Sequence, residues 1–235
     1  MKISVYVSRL MLSIVIPTLN CERALGATLE ALVPGVLSGL VSQLVISDGG
    51  STDATLAIAD AVGADVVEGA AGRGVQLARG AEAARGRWLL FLHADTVLAP
   101  NWADKVRHFI EAGDEGRAAS FRFRLDDRRA RARIVETIVA LRCLLAGLPY
   151  GDQGLLISRR LYDQLGGYRR LVLMEDVDLV RRIGRGRLIL LDHDAVTSAE
   201  RYRSGGYLRR TTRNLACLGL WYAGMAPERI ARIYR

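Results

Sequence analysis

The segment LSIVIPTLNCERALGATLEALVPGVLSGLVSQLVISDGG, residues 12–50, contains the pattern that decides the fold. A β-branched run over Leu12–Ile16 ends at a proline and predicts a buried strand. Helical spacing over Cys21–Val33 predicts a helix that ends before Pro34, and Gln43–Ser47 predicts a second strand. Two strands joined by a helix through short connections are typical of a parallel β–α–β unit.

The same alternation continues toward the middle of the chain. Helices are predicted over Ala54–Val62 and Val75–Ala84, and strands over Ala64–Glu68 and Trp88–Leu92. Strands that alternate with helices in this way indicate an α/β fold. We therefore expect a mostly parallel, doubly wound sheet with helices on both faces.

The second half of the chain has a more mixed pattern. Its predicted strands are Ser120–Leu125, Leu155–Ser158 and Leu188–Asp192, and its predicted helical segments are Ala130–Ala146, Leu161–Leu165, Asp176–Ile183 and Tyr207–Tyr222. Ligands of open α/β sheets bind at the carboxyl ends of the strands. We expect the first half to bind a nucleotide there, and the second half to supply acceptor contacts and a base.

The predicted organisation is a single domain over residues 12–204. Within it, residues 12–100 form the nucleotide-sugar half and residues 101–204 the acceptor half. Residues 1–11 are predicted to be an N-terminal extension and residues 205–235 a C-terminal helical segment. The arginines and leucines of that segment favour ordinary packing against the domain, with contact to a membrane surface or to a second copy of the chain as the alternatives.

Composition excludes several classes of protein. The 235 residues include three cysteines without a CxxC pair, which argues against a disulfide framework and a structural zinc site. No apolar run reaches the roughly 18–20 residues of a membrane span, and we expect a cytoplasmic protein with peripheral membrane contact as an open alternative. A formal net charge of +8 fits an anionic partner, such as a phosphorylated small molecule, or simply a solvated basic surface.

Two polar clusters follow the first two predicted strands. Pro17, Thr18, Asn20 and Glu22 come after the first strand, where a plain strand-to-helix turn is the alternative to a binding loop. The second cluster begins at Asp48-Gly49-Gly50, residues 48–50, where glycines allow close backbone approach to a ligand. A carboxylate at that strand end can accept hydrogen bonds from a nucleotide base or a ribose hydroxyl.

A third cluster, FLHADT at residues 91–96, places an acidic residue after an apolar strand. A carboxylate there costs free energy unless it is paired or binds a cation. A diphosphate leaving group needs a divalent cation, and oxygen ligands suit Mg²⁺ or Mn²⁺, so Asp95 is the candidate metal ligand. Arg73, between two glycines, is a candidate contact for the diphosphate.

Two further clusters lie in the second half, GDQG at residues 151–154 and MEDVDL at residues 174–179. Acidic residues at a helix start also stabilise the helix, so capping is the alternative for the second cluster. Inverting sugar transfer requires a carboxylate that accepts the proton of the acceptor hydroxyl. Asp176 or Glu175 can fill that role.

Taken in order, SIVIPTLN (13–20), ISDGGSTD (46–53), FLHADT, GDQG and MEDVDL resemble family 2 glycosyltransferases with a GT-A fold. The resemblance implies that the chain moves a sugar from a nucleotide diphosphate-sugar donor to a small-molecule or lipid-linked acceptor. It implies donor contacts at Pro17, Thr18, Asn20, Glu22, Asp48, Gly49, Arg73, His93 and Ala94, a metal at Asp95, a base at Asp176 beside Glu175, and acceptor contacts at Gly151, Asp152 and Gln153. No nucleic-acid partner is implied, and a homodimer stays open.

The finer pattern resembles a small bacterial subgroup that has been linked to arsenosugar biosynthesis, on GRGVQLARGA (72–81), HAD (93–95) and LMEDVDLVRR (173–182). In it, His93 replaces the first aspartate of the usual DxD motif, so fewer protein carboxylates hold the metal. A packed or second-sphere His93 is favoured over direct ligation, and His193 is a further candidate ligand or a solvent-facing histidine. Arg201-Tyr202 only partly matches the QxxRW signature of processive synthases, which implies transfer of a single sugar.

Two other functions fit the sequence less well. Sugar-nucleotide pyrophosphorylases have a similar sheet, but they carry a glycine-rich loop with arginine and lysine after the first strand, where this chain has PTLNCER (17–23). A non-enzymatic nucleic-acid-binding domain would need clustered basic residues interleaved with aromatics. Aromatics make up only 6% of this chain, so transfer of a sugar is the favoured function.

Overall fold

The computed structural model describes residues 12–234, so the N-terminal extension predicted for residues 1–11 lies outside the described residues. The strands are β1 (Leu12–Thr18), β2 (Val41–Asp48), β3 (Asp65–Glu68), β4 (Trp88–Phe91), β5 (Thr96–Leu98), β6 (Ala118–Leu125), β7 (Leu155–Ser158) and β8 (Leu188–Thr197). Within the described range they form one sheet in the order β3-β2-β1-β4-β7-β6-β8-β5.

Helices cover this sheet. They are α1 (Glu22–Leu37), α2 (Thr55–Ala61), α3 (Arg73–Ala83), α4 (Trp102–Glu111), α5 (Ala130–Ala146), α6 (Arg159–Gln164), α7 (Glu175–Ile183), α8 (Glu200–Gly205), α9 (Tyr207–Tyr222) and α10 (Pro227–Tyr234), with short 3₁₀ turns at Gly151–Gln153 and Arg185–Arg187. Apolar residues of α1 and α4 pack on one face of the sheet, and those of α3 and α7 pack on the other. The expected helices on both faces are therefore confirmed.

Strands β1 to β4 form the parallel part of the sheet. β1 pairs in parallel with β2 and with β4, and the register places Thr18 beside Asp48 and Val15 beside Phe91. Because the strands run in the same direction, the segments that follow them meet at one edge. That edge gathers the polar clusters predicted from the sequence.

The other strands join both halves of the domain in the same sheet. β7 is antiparallel to β4 and β6, β6 is parallel to β8, and β5 is antiparallel to β8. Among the described strands, four of the seven pairings are parallel, in agreement with the mostly parallel α/β sheet. The β4–β7 pairing makes the two predicted halves parts of one sheet.

The C-terminal helices pack against the domain. The Tyr207 hydroxyl donates a hydrogen bond to the Asp127 carboxylate, and Ile230 of α10 is fully buried. Tyr202 and Tyr207 stack with their ring centroids 5.5 Å apart. Each helix within residues 12–234 is shorter or more polar than a bilayer crossing requires.

The prediction that the first helix ends before Pro34 is wrong, because α1 continues to Leu37. The Trp102 indole donates a 2.7 Å hydrogen bond to the Ala31 carbonyl and packs against Gly35, which holds the last turn in place. β8 also extends past the predicted end at residue 192. Three of the helices and strands had no prediction, α4, α8 and β5, whereas α10 lies within the predicted C-terminal helical segment.

Candidate active site

The loop after β1 is linked to the loop after β2 by polar contacts. Asn20 has a left-handed backbone with φ of +50°. Its backbone N–H donates to Ser51 Oγ over 2.9 Å, and its side-chain oxygen accepts the Thr52 N–H over 2.8 Å. Glu22 accepts the Ala54 N–H over 3.0 Å. Asn20 and Glu22 therefore fix the two loops relative to each other.

Asp48 lies beneath these loops and is fully buried. Its carboxylate accepts hydrogen bonds from Thr18 Oγ1 over 2.8 Å and from the Gly50 and Ser51 backbone N–H groups, each over 2.7 Å. Burial by itself would raise the pKa of Asp48, but these bonds and one from the Ser51 hydroxyl outweigh it and lower the pKa. Asp48 thus organises the loop from below and lies outside the two cavities described next.

Gly49 approaches protein atoms closely. A Cβ at this position would lie 3.1 Å from the Gln76 amide and 3.2 Å from the Ala71 Cα. The buried Gln76 side chain donates to the Thr18 carbonyl over 2.7 Å and to the Ser47 carbonyl over 2.9 Å. Gln76, which sequence reasoning missed, joins the ends of β1 and β2 to α3.

A wide cavity opens above the carboxyl ends of β1 and β4, and we refer to it as the donor cavity. Its empty volume is about 1450 Å³. The predicted donor and metal residues that line it are Pro17, Thr18, Asn20, Glu22, Arg73, His93, Ala94 and Asp95. The structure therefore brings together most of the predicted donor contacts, whereas the buried Asp48 and the half-buried Gly49 do not line the cavity.

A second cavity, the acceptor cavity, continues from the first and has an empty volume of about 870 Å³. Gly151, Asp152, Glu175 and Asp176 line it. The two cavities share Arg73, His93, Asp95, Ser198 and Arg201. They form one cleft, and these five residues mark the junction between its two parts.

The side chains of His93 and Asp176 meet at Gly151 near the junction. Its N–H donates a 3.0 Å hydrogen bond to Asp176 Oδ2. A Cβ at Gly151 would lie 2.5 Å from His93 Nε2 and 2.6 Å from Asp176 Oδ2, so only glycine fits between them. Within the described residues, His93 Nε2, Asp152 Oδ1 and Asp176 Oδ1 are buried without a hydrogen-bond partner. Such atoms are rare in folded proteins and here face a cleft that could hold a polar ligand.

Burial sets the protonation of this cluster. It raises the pKa of Glu175 to about 7, helped by the charge of Asp176 and opposed by Arg73, whose Nη1 lies 3.5 Å from Glu175 Oε1. It also raises the pKa of Asp176, against Arg73 and the Gly151 N–H. For Asp152, burial raises the pKa to about 6. Buried carboxyls with raised pKa values are common at catalytic sites.

His93 is affected in the opposite direction. Burial, with the charges of Arg73 and Arg201, lowers its pKa well below 6.5, so its imidazole is neutral at physiological pH. A neutral imidazole can donate or accept one hydrogen bond at its free nitrogen. His193 lies apart, with its Nε2 3.0 Å from the Ala99 carbonyl, and it lines neither cavity.

Helix α3 begins at Arg73, two residues before the predicted start at Val75, so Arg73 and Gly74 lie in its first turn. A Cβ on Gly74 would lie 2.7 Å from the carbonyl oxygens of both Arg169 and Leu171. Gly74 therefore allows α3 to approach the loop before α7. At the end of that loop, Met174 has a left-handed backbone with φ of +67°, a conformation that places Glu175 and Asp176 at the helix start.

Gln153 points away from the cleft. Its amide donates a 2.9 Å hydrogen bond to the Phe121 carbonyl and accepts the Tyr150 N–H over 3.3 Å. The side chain is buried and absent from the acceptor cavity lining. Gln153 thus holds the 3₁₀ turn that presents Gly151 and Asp152.

The described residues do not form a complete metal site by themselves. Within residues 12–234 there is no group of three or more His, Cys, Asp or Glu side chains that could hold an ion alone. The Asp95 carboxylate lines both cavities and makes no ion pair or side-chain hydrogen bond in the described range. A single free carboxylate fits an ion whose other ligands come from the donor and from water.

Several lining residues were missed from the sequence. Ser198 and Arg201 belong to the segment TSAERY (197–202), which also resembles the bacterial subgroup, and Tyr150 directly precedes GDQG, so a signal existed for these three. Arg210, Asn214 and Tyr234 come from α9 and α10 and line the acceptor cavity. Tyr234 belongs to the ending PERIARIYR (227–235), which also resembles the subgroup, whereas no motif marks Arg210 or Asn214.

Comparison with known proteins gives a family and a fold. The family model described as "Glycosyl transferase family 2" matches residues 13–166. Glucosyl-3-phosphoglycerate synthase of Mycolicibacterium smegmatis is 37% identical over 94 residues, 36% of this chain and 31% of that protein. A PGL/p-HBAD biosynthesis glycosyltransferase of Mycobacterium tuberculosis is 40% identical over 95 residues, 37% of this chain and 36% of that protein. The matched regions thus span about a third of these curated relatives.

Among solved structures, glucosyl-3-phosphoglycerate synthase from Mycobacterium tuberculosis with Mn²⁺, UDP-glucose and phosphoglyceric acid gives a TM-score of 0.64 at 22% identity. The match covers 93% of this chain and 83% of that one. The same protein with Mg²⁺ and UDP gives 0.64 at 22% identity, covering 94% and 83%. At this level of identity the likeness concerns the fold, which is of the GT-A type.

Proposed function

The chain belongs to glycosyl transferase family 2, and from that premise we propose that it transfers one sugar from a nucleotide diphosphate-sugar to an acceptor hydroxyl, with inversion and with Mn²⁺ or Mg²⁺. The observation that supports this most is the cluster at the junction of the two cavities. There Asp176 Oδ1 is buried without a partner and faces the acceptor cavity, while Asp95 lies between the two cavities. Family membership sets aside the pyrophosphorylase and nucleic-acid alternatives.

Asp176 is the proposed base. One of its oxygens accepts the Gly151 N–H, which orients the carboxylate and leaves the other oxygen free for the acceptor hydroxyl. Because burial raises the pKa of Asp176, its ionised form binds a proton more strongly than an ordinary aspartate does. Glu175, beside Arg73, lies next to this base and contributes to its electrostatic environment.

The donor side is assigned to the first half of the chain. Pro17, Thr18, Asn20 and Glu22 are proposed to contact the nucleotide, with Asp48 and Gly49 supporting their loops from beneath. The His93 and Ala94 positions complete the wall beside the phosphates.

We assign neutralisation of the charge on the leaving group to Arg73, Arg201 and an ion held by Asp95. All three residues line both cavities. Asp95 would hold the divalent cation. Bound there, such an ion would neutralise charge on the departing diphosphate. The structural neighbour named above binds Mn²⁺ or Mg²⁺ with UDP, which supports the choice of ion and of UDP as first probe.

Gly151 and Asp152 are proposed to shape the acceptor side, with Gln153 holding their turn. The acceptor hydroxyl would attack the anomeric carbon opposite the leaving diphosphate. Asp176 would take the hydroxyl proton in the same step, and the configuration would invert.

Binding and turnover of two variants test these roles. Thermal shift with UDP, GDP and dTDP, with and without Mn²⁺, identifies the nucleotide. We expect Asp95→Ala to lose the Mn²⁺-dependent part of nucleotide binding. We expect Asp176→Asn to keep that binding while turnover of the donor falls by roughly 10²–10⁴-fold, because the base is lost.

Asp163→Asn, which changes an exposed aspartate of α6, serves as the control and should behave as the wild type. NMR of the sugar first released from UDP-glucose reads its configuration, and inversion gives the β-anomer. Near-normal turnover by Asp176→Asn would refute the base assignment. Release of the α-anomer would refute inversion.

A further inference from the structure

The C-terminal helices contribute one wall of the acceptor cavity. Arg210, Asn214 and Cys217 line it from α9 at a spacing of four and three residues, which places them on one face of that helix. Tyr234 of α10 completes the wall. All four lie beyond residue 166, where the family match ends. This wall can therefore differ between family members that share the same donor site.

Two polar atoms of this wall are buried without a partner in the described part of the chain. They are Arg210 Nε and Asn214 Oδ1. One is a donor and the other an acceptor, and both residues line the acceptor cavity. Buried polar atoms in folded proteins almost always make a hydrogen bond, so these two are suited to a polar ligand.

The positive charge of Arg210 also has no carboxylate partner in the described residues. Its guanidinium lies over the Tyr202 ring, 5.2 Å from the centroid, and its Nη2 is 3.5 Å from the Tyr234 hydroxyl. Within residues 12–234 it makes no ion pair with a carboxylate. An arginine held by aromatic rings and free of carboxylates is a site for an anion.

The donor cavity has positively charged side chains of its own. Arg73 and Arg201 line both cavities, whereas Arg210 lines only the acceptor cavity. The acidic side chains of the acceptor cavity are Asp95, Asp152, Glu175 and Asp176. The proposed function assigns Asp95 to metal binding, Asp176 beside Glu175 to proton transfer, and Asp152 to the acceptor side. Arg210 is therefore left for the acceptor. The buried Cys217 and Tyr202 also line this cavity, and its empty volume of about 870 Å³ favours a small molecule.

Given the proposed transferase function, we propose that the acceptor is a small hydroxylated molecule that carries an anionic group, a carboxylate or a phosphate. Arg210 binds the anionic group, and Asn214 accepts a hydrogen bond from a neighbouring hydroxyl. The reacting hydroxyl then faces Asp176. The C-terminal helices thus determine acceptor specificity.

Three probes that differ only at one end test this assignment: glycerol, glycerate and glycerol 3-phosphate. Their binding to the full-length protein saturated with UDP and Mn²⁺ is measured by calorimetry. We expect at least one charged probe to bind about tenfold or more tightly than glycerol, and the preferred one distinguishes carboxylate from phosphate. Arg210→Gln should abolish this preference while UDP affinity is unchanged.

Arg209→Gln is the matched control, because Arg209 is the exposed neighbour on the same helix. It should leave the preference intact. Arg210→Lys keeps the charge and should retain part of the preference for charged probes. It takes the place of Arg210→Gln in the test if that variant does not fold. Asn214→Leu should weaken the binding of all three probes.

The outcomes separate the two proposals. Failure of the wild type to bind any of UDP, GDP and dTDP would refute the proposed function. The anionic acceptor is refuted if UDP binds but the charged probes bind no more tightly than glycerol, or bind with a Kd above about 10 mM. An unchanged preference in both Arg210 variants would also refute the role of Arg210.

Discussion

Glu175 is a buried carboxyl at the start of α7, and its titration should affect the stability of the ligand-free protein. Burial and the charge of Asp176 raise its pKa to about 7 from an ordinary value of 4.5. Between these pH values the native protein holds a proton that the unfolded chain has released. The stability that this group contributes is therefore present below pH 4.5 and is lost as the pH rises through about 7.

Glu175→Gln removes this titration. We expect the free energy of unfolding of the variant to exceed that of the wild type by an amount that grows from pH 5 to pH 8 and reaches about 1–3 kcal/mol. Urea unfolding without nucleotide or metal at pH 5, 6.5 and 8 measures it. Glu30→Gln, at an exposed position of α1, should follow the wild type. Parallel profiles for Glu175→Gln and the wild type would contradict the raised pKa.

Local motifs predicted several residues of the site, but they did not predict the orientation of every side chain. Asp95, Gly151 and Asp176 were predicted from short motifs at strand or helix ends, and they do meet in one cleft. Asp48 and Gln153 belong to equally clear motifs, but their side chains are used inside the protein. A motif gives the position of a side chain along the chain, whereas its orientation depends on partners such as Thr18 and Phe121 that come from other elements.

The packing of α1 on α4 depends on one glycine. A Cβ on Gly35 would lie 2.5 Å from Trp102 Cζ2 and 2.6 Å from Cη2. The indole cannot move away easily, because it is buried and its Nε1 donates to the Ala31 carbonyl over 2.7 Å. We expect Gly35→Ala to lower the free energy of unfolding by about 1–3 kcal/mol through overpacking.

Gly26, on the same helix, provides the matched control. A Cβ there would meet nothing within 4 Å. Gly26→Ala should raise the free energy of unfolding by up to about 1 kcal/mol, because alanine favours the helix more than glycine does. Urea unfolding of both variants at pH 7 measures the difference. A gain of stability in both would show that Trp102 does not restrict Gly35.

Elements with a strong apolar period could be predicted, and several bounds agree to the residue, including Ala130–Ala146, Leu155–Ser158 and Tyr207–Tyr222. The error at Pro34 has a physical cause. A proline normally ends a helix, but here the tertiary contacts of Trp102 stabilise another turn. Helix α4 was missed although Trp102, Val106 and Ile110 are spaced at helical intervals, so its signal was present in the sequence.

At the scale of the molecule, the predicted division at residue 100 is not a division of the sheet. β4 from the first half pairs with β7 from the second along residues 88–91 and 155–158. β5, just before the division, pairs with β8 at the far end of the domain. Such long-range pairing leaves no local trace in the sequence, so a single mostly parallel sheet could be predicted but the order of its strands could not.

The sheet and the C-terminal helices should differ in local stability. In β1 every residue except Pro17 is buried, whereas in the sixteen residues of α9 only Tyr207 and Cys217 are, and in α10 only Ile230. Few buried contacts make local opening less costly than global unfolding. We expect the amides of α9 and α10 to exchange with solvent at least about tenfold faster than those of β1 and β4.

Hydrogen exchange with mass spectrometry on the ligand-free protein measures this difference, and α5, which is also partly exposed, is the internal comparison. Because Arg210 and Asn214 lie on α9, a ligand in the acceptor cavity should slow exchange in α9 and leave β1 unchanged. Equal protection of α9 and the sheet without ligand would mean that the helices unfold only with the whole domain. In that case the acceptor wall would be as rigid as the sheet, and acceptor binding could not depend on its ordering.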